Sequence, residues 1–281
     1  MPIVWIASYP KSGNTWVRAF LANYASRRNE PVDVEALSAF GVSDGNIGPY
    51  ERAAKRPFST LTDVEIARLR PAAHALIAGL RPGIVPVKTH VAIGHVHGAP
   101  TINPAVTAGA IYIVRNPFDV VISYADHYGL TLDEAVDAIT RKSTALARTP
   151  TYAPQPISDW ATHVGSWTGS PSDRLVVVRY EDLLNQPAAT FALLPPALGL
   201  PVDLKRTARA IRNSRFETLA AQEAARGFGE RSKHQARFFR EGRSGQWRDV
   251  LSEAQVRGMI DRLGPTMRRF GYLDAHGRPA D

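Results

Sequence analysis

Short apolar runs alternate with helical patterns along the chain. Ile3 to Ala7 reads as a buried strand, followed by a turn at Ser8 to Gly13 and by apolar positions at helical spacing from about Asn14 to Arg27. Ile84 to Lys88 and Ala110 to Val114 are further apolar runs of the kind that buried parallel strands give. The chain therefore opens as strand, turn and helix, and returns to strands later.

The second half of the chain continues this alternation. Its predicted elements are helices near Phe118 to Tyr128, 131–147 and 157–168, a strand at Leu175 to Arg179, a helix starting at Glu181, and helices near 187–198 and 204–212. Alternating strands and helices favour a parallel sheet with helices on both faces, whose ligands lie at the carboxyl ends of the strands. We expect one α/β domain spanning residues 1–281.

Composition limits the class of protein. The 281 residues are 44% hydrophobic and 21% charged, and no apolar run approaches the roughly 20 residues that a membrane span needs. The first residues have neither a basic leader nor a cleavage site, so we expect no signal peptide. Cysteine is absent, which excludes disulfides and thiolate metal sites. A soluble cytoplasmic protein without a membrane partner is the expectation.

The formal charge of +8 indicates an anionic ligand. Basic residues are scattered, and the densest stretch, Arg226 to Arg248, is interleaved with glycine, glutamate and aromatic residues. This distribution fits a small polyanion better than nucleic acid. A basic nucleic-acid-binding module stays as an alternative that only the charge favours.

The first turn has the features of a phosphate cradle. In YPKSGNTW, Tyr9 to Trp16, the backbone N–H groups and the start of a helix point at one anion. Lys11 adds a full charge, Gly13 lets the backbone approach closely, and three side chains offer donors, namely Ser12, Asn14 and Thr15. Lys11 precedes Gly13, whereas nucleotide triphosphatases place the lysine after a glycine. A nucleotide kinase is therefore the weaker alternative, and the sequence shows no clear acidic magnesium anchor.

This turn resembles the 5'-phosphosulfate loop of the cytosolic-type sulfotransferases, YPKSGTTW, from which it differs only at Asn14. A second segment, IYIVRNPFDVVISY, resembles the 3'-phosphate motif of that family, with Arg115 at a strand end and Ser123 on the next helix. The resemblance implies a P-loop-like fold. It also implies 3'-phosphoadenosine 5'-phosphosulfate (PAPS) as sulfuryl donor, 3'-phosphoadenosine 5'-phosphate (PAP) as product, and no metal.

Later segments extend the resemblance. FFREGRSGQW is similar to the loop that closes over the 3'-phosphate, which assigns Arg240 and Gly242 to the donor site. Glu241 departs from the lysine common in the family, so we expect weaker nucleotide binding unless Arg243 compensates. Three aromatic residues complete the implied nucleotide site: Tyr180 near the nucleotide, Phe216 along the adenine, and Trp16 on the opposite face of the base.

The resemblance also implies the roles in catalysis. His90 in VKTH matches the histidine that takes the acceptor proton, and histidine suits this role because it titrates near neutral pH. Lys11 meets charge on the leaving oxygen, Lys88 neutralises the sulfuryl oxygens, and Ser123 holds Lys11 before the acceptor arrives. His127 is the second candidate for the base and has no motif behind it.

The acceptor is the least determined part. We expect the hydroxyl of a small molecule or natural product, in a pocket shaped by residues 29–82 and 125–160. His95 and His97 in GHVHG lack a visible third ligand, which disfavours a metal site. The late dimer pattern of the family is not matched near Arg248 to Gln255, so the oligomeric state stays open.

Overall fold

A five-stranded parallel sheet forms the centre of the protein in the computed structural model, which describes residues 2–26 and 28–280. The strand order is β2-β3-β1-β6-β9, and two short antiparallel pairs, β4-β5 and β7-β8, lie outside it. The strands are β1 Ile3–Ser8, β2 Val42–Ser43, β3 Val85–Thr89, β4 His95–Val96, β5 Ala99–Pro100, β6 Thr107–Val114, β7 Ala145–Leu146, β8 Gln155–Pro156 and β9 Leu175–Arg179.

Helices connect the strands and cover both faces of the sheet. They are α1 Asn14–Ala25, α2 Leu37–Phe40, α3 Ile47–Ala54, α4 Asp63–Ala78, α5 Pro117–Tyr128, α6 Leu132–Thr140, α7 Trp160–Thr168, α8 Tyr180–Asn185, α9 Pro187–Ala192, α10 Leu204–Asn213, α11 Phe216–Arg226, α12 Trp247–Val250 and α13 Glu253–Arg269. In the described part of the chain, no helix combines the length and the apolar character needed to cross a membrane.

Alternation along β1 divides the core into two layers. Trp5 and Ala7 pack on one face with Phe118 of α5, whereas Val4 and Ile6 pack on the other. Residues on successive positions of a strand point to opposite faces, so a strand without polar positions must be covered twice. This arrangement agrees with the predicted parallel sheet flanked on both faces.

The strand register brings the ends of three strands together. Ala7 of β1 pairs with Thr89 of β3 and with Tyr112 of β6. The turn after Ser8, the residue after β3 and the residue after β6 therefore lie at one edge of the sheet. That edge is where ligands bind in open parallel sheets.

The prediction of a helix over 131–147 was wrong in its second half. α6 begins after Thr131, which caps it, and ends at Thr140. The Thr144 hydroxyl then donates to the carbonyl of Ala138 at 2.7 Å, and the Thr144 carbonyl accepts from Ile157 N and Ser158 N. These bonds fold residues 141–159 into a turn and the β7-β8 pair.

Other boundaries moved for identifiable reasons. The helix predicted over 157–168 begins at Trp160, because the Asp159 side chain caps it through Thr162 N. The helix predicted over 187–198 ends at Ala192, and Pro195 starts a separate 3₁₀ turn. Arg27, the predicted end of the first helix, lies outside the described residues.

Candidate functional site

The first turn is built on two residues with positive φ. Lys11 has φ 66° and Gly13 has φ 101°. A Cβ at position 13 would lie 2.7 Å from Cδ2 of Tyr180, so the ring of Tyr180 packs directly on the glycine. Left-handed backbone there turns the chain from β1 into α1, whose N-terminus faces the cavity.

Side chains at the start of α1 hold the turn in place. Asn14 Nδ2 donates to the Ile6 carbonyl at 2.8 Å, and Asn14 Oδ1 accepts from Arg18 Nε at 3.1 Å. The Asn14 amide therefore stabilises the turn, although the residue also lines the cavity. Ser12 is fully buried, and its hydroxyl has no hydrogen-bond partner among the described residues.

The second motif provides a buried cation. Arg115 follows β6 and donates through Nη1 to the Lys11 carbonyl at 3.0 Å and through Nη2 to the Arg243 carbonyl at 3.3 Å. Its guanidinium lies 4.3 Å from the centroid of Tyr180, and its Nε has no partner within the described chain. Ser123, the seventh residue of α5, lines the same cavity.

The late loop closes the nucleotide side of the cavity. Arg240 donates to Gln246 Oε1 at 2.5 Å. Gly242 has φ 66°, and a Cβ there would lie 2.4 Å from the Phe216 ring, so only glycine lets the loop approach that ring so closely. Arg243 Nε lies 3.4 Å from Glu241 Oε2, which engages the side chain that was expected to compensate for the glutamate.

These elements surround one cavity of about 1010 Å³. It contains every predicted site residue except Ser12. The residues brought together are Lys11, Gly13, Asn14, Thr15, Trp16, Lys88, His90, Arg115, Ser123, Tyr180, Phe216, Arg240 and Gly242. Residues 141–155 form a further part of the wall, whereas the stretch 29–82 contributes only Ser43 to it. The predicted share of 29–82 in the pocket was therefore too large.

His90 is held in one tautomer. Its Nδ1 lies 2.8 Å from the Ser8 carbonyl, and because a carbonyl only accepts, Nδ1 carries the proton. Nε2 is then free to accept one. Burial, together with the charge of Lys88, lowers the pKa of His90 to about 3. The imidazole is therefore neutral at physiological pH, and the acid limb of activity expected near neutrality moves to much lower pH.

Lys11 lies among aromatic and imidazole groups. Its Nζ is 4.1 Å from the centroid of Phe238 and 3.4 Å from Nδ1 of His127. Burial and the neighbouring charge of Lys88 lower the pKa of Lys11 to about 7. Among the described residues no hydrogen bond joins Ser123 to Lys11, in contrast to the role that the resemblance implied for that serine.

Sequence reasoning missed three polar residues of the site. Glu230 contacts both Lys88 and the buried Arg18, with side-chain distances of 3.0 Å and 2.6 Å. Gln235 Oε1 lies 2.7 Å from His127 Nδ1. Glu230 is an acid in the most basic stretch of the chain, which was the one available signal, but the sequence does not show which cations it meets.

The described residues contain no group of three or more histidine, aspartate or glutamate side chains placed to hold a metal ion. His95 and His97 are both exposed on the β4-β5 hairpin. The chemistry of the cavity therefore has to be argued from its cations and its histidines.

Comparisons with known proteins agree with this geometry. A family model described as the sulfotransferase domain matches residues 2–271. Flavonol 3-sulfotransferase of Flaveria bidentis is 23% identical over 279 residues, which cover 92% of this chain and 80% of the relative. A mouse sulfotransferase complexed with PAP has a TM-score of 0.62 at 19% identity, covering 95% of this chain and 84% of that one.

A further solved structure, retinol dehydratase in a complex with retinol and PAP, has a TM-score of 0.65 at 19% identity. The match covers 95% of this chain and 81% of that one. These structural likenesses confirm the predicted fold class, a central parallel sheet of the P-loop-like kind with helices on both faces.

Replacing Gly13 by Ala should destabilise the protein. The new Cβ meets Tyr180 and forces a non-glycine residue to keep φ 101°, which costs about 1 to 3 kcal/mol. Urea unfolding measures the loss. Gly48→Ala is the matched control, because Gly48 lies in α3 with nothing within 4 Å of its added Cβ. Equal midpoints for the two variants would contradict the strain at the turn.

Proposed function

Because the chain belongs to the sulfotransferase family, we propose that it transfers a sulfuryl group from PAPS to a hydroxyl of a small molecule. One observation carries the proposal. Lys11, Lys88, Arg115 and Arg240 line the same cavity as the neutral imidazole of His90. Fixed cations and a base without its own charge are what sulfuryl transfer between oxygens requires.

The cavity suits a nucleotide with two phosphate-bearing ends. Its volume of about 1010 Å³ is at the upper end of the usual range for ligand pockets, which leaves space for an acceptor beside the donor. Arg115 has a buried Nε without a partner in the described chain, and this donor fits a 3'-phosphate. The two PAP complexes among the structural neighbours support the same donor.

The residues present divide the chemistry among them. As the acceptor oxygen bonds to sulfur, its proton passes to Nε2 of His90, while the bond from sulfur to the 5'-phosphate oxygen breaks. Lys11 lies in the turn that would hold this phosphate and offsets the charge that builds on the leaving oxygen. Lys88, two residues before His90, offsets the charge of the sulfuryl oxygens. The step needs no metal ligand from the chain.

The acceptor wall supports a hydroxyl on an apolar or aromatic body. Tyr124, Tyr128, Leu130, Leu146 and Tyr152 line the cavity on this side. A flavonol is the acceptor named for the plant relative, and retinol is bound in one structural neighbour. A phenolic or terpenoid natural product fits these observations.

His90→Asn should reduce turnover by about 100- to 10,000-fold, because the variant loses the basic nitrogen and keeps a polar group. The measurement is mass gain of one sulfate on members of an acceptor library in the presence of PAPS. His95→Asn, exposed on its hairpin, should keep full activity. If His127→Asn abolished turnover and His90→Asn did not, the base would be His127. The absence of any PAPS-dependent product with the unmutated protein would refute the proposed reaction.

Arg115→Ala should weaken PAP binding selectively. Loss of a charge-assisted contact costs about 1.5 to 3 kcal/mol for PAP, and the binding of adenosine 5'-phosphate should change little because that nucleotide has no 3'-phosphate. Calorimetry compares both nucleotides, with Arg257→Ala, exposed on α13, as the control. The unmutated protein should also bind PAP more tightly than ATP. Equal losses for PAP and adenosine 5'-phosphate would remove Arg115 from the 3'-phosphate.

Binding of PAP should take up a proton at Lys11. The pKa of Lys11 is about 7 in the empty cavity, and a phosphate beside it raises that pKa. Affinity should therefore be highest at about pH 7 and fall toward about pH 9, where protonation of the lysine must accompany binding. Lys11→Arg keeps its charge at each pH and should flatten this dependence in calorimetry. An unchanged slope in that variant would assign the proton to another group.

A further inference from the structure

Glu230 is an acid in the middle of the cations that line the cavity. It lies in the segment between α11 and α12, and its Oε2 is 3.0 Å from Lys88 Nζ and 3.2 Å from Thr15 Oγ1. Oε1 is 2.6 Å from Arg18 Nη2. Burial acts to raise the pKa of the Glu230 carboxyl, but the charges of Lys88 and Arg18 lower it well below its ordinary value. The side chain is a carboxylate that bridges two cations.

Arg18 fixes this carboxylate to the protein. The Arg18 side chain is only 1% exposed, and its other hydrogen bonds go to the neutral oxygens of Asn14 and Thr15. Withdrawal of Glu230 would leave a guanidinium buried without a counter-charge, which is among the costly changes in a protein interior. Glu230 therefore keeps its bond to Arg18 when a ligand enters the cavity, and its second oxygen stays at Lys88.

We propose that Glu230 is a positioning residue for sulfuryl transfer, which holds the Lys88 ammonium in the orientation that meets the sulfuryl oxygens. The inference rests on the proposed function. Lysine has a long flexible stem and a point charge, so its position in a cavity depends on the partner that binds it. A lysine displaced by about 1 Å can cost a reaction roughly 100-fold in rate. Arg18 acts through Glu230 in the same way.

The surroundings of Lys88 explain why it needs an acid. The charged and titratable groups near it are Glu230, Arg18 of α1, Asp44 after β2, Lys11 of the first turn, His90 after β3, and His127 of α5. Burial lowers the pKa of Lys88, and Glu230 opposes that change most strongly among these groups. Removing the charge of Glu230 should make the loss of the Lys88 proton easier.

The other interpretation is that Glu230 competes with the donor for Lys88 and Thr15, and that the segment carrying it has to move aside. Under that interpretation, neutralising Glu230 strengthens donor binding and leaves the chemical step intact. The two interpretations therefore predict opposite results for the same variant.

Glu230→Gln keeps the shape and removes the charge. We expect kcat to fall about 10- to 100-fold, PAP affinity to change less than about threefold, and the alkaline limb of kcat to move to lower pH. Glu230→Asp, which retains the charge, should restore the position of the limb. Glu253→Gln, exposed at the start of α13, should match the unmutated enzyme in every measurement.

A double-mutant cycle tests the route through Lys88. In a Lys88→Met background, Glu230→Gln should cause less than a threefold further loss of kcat, since the group it positions is already absent. Full additivity would overturn the proposal, as would unchanged kcat with PAP affinity raised tenfold. Thermal unfolding identifies a variant that fails to fold, and Glu230→Asp then replaces Glu230→Gln in the cycle. Lack of PAPS-dependent turnover in the unmutated enzyme would instead refute the reaction on which the proposal rests.

Discussion

Like charges held close together in a partly enclosed cavity are the constraint on which the site depends. Lys11, Lys88 and Arg115 line one wall, and each is turned away from bulk water. Such a group of cations opposes folding unless anions or hydrogen bonds compensate it. The protein supplies Glu230, the carbonyls that bind Arg115, and the Phe238 ring over Lys11. An anionic ligand completes the compensation, so affinity for the ligand and tolerance of the empty state are set by the same contacts.

The sequence was informative where local chemistry determines the outcome. The first turn needs positive φ at Gly13 and a helix start after it, and both are visible in YPKSGNTW. Its neighbours Arg115 and His90 could be placed because each follows an apolar strand, and parallel strands end at one edge. The position of these residues thus follows from topology, whereas their assigned roles stay predictions.

Contacts between segments distant in sequence could not be predicted in the same way. Glu230 and Arg18 are 212 positions apart, and nothing in either segment indicates that they meet. The end of α6 at Thr140 was missed for a related reason, because the bonds that stop the helix come from Thr144 and from residues beyond β8. β2 has only two residues, too few for a periodic pattern, and it pairs solely through β3.

The two walls of the cavity differ in how they are built. The donor wall consists of the turn after β1, the ends of β3 and β6, and the first residues of α5, all of which are part of the sheet and its core. The opposite wall is largely the excursion of residues 141–159 between α6 and α7, which contains only a pair of two-residue strands. Substitutions in this excursion change the shape of one wall without touching the strand ends. The architecture thus separates inheritance of the reaction from diversification of its substrates, so descendants of this chain can acquire new acceptors while the chemistry is retained.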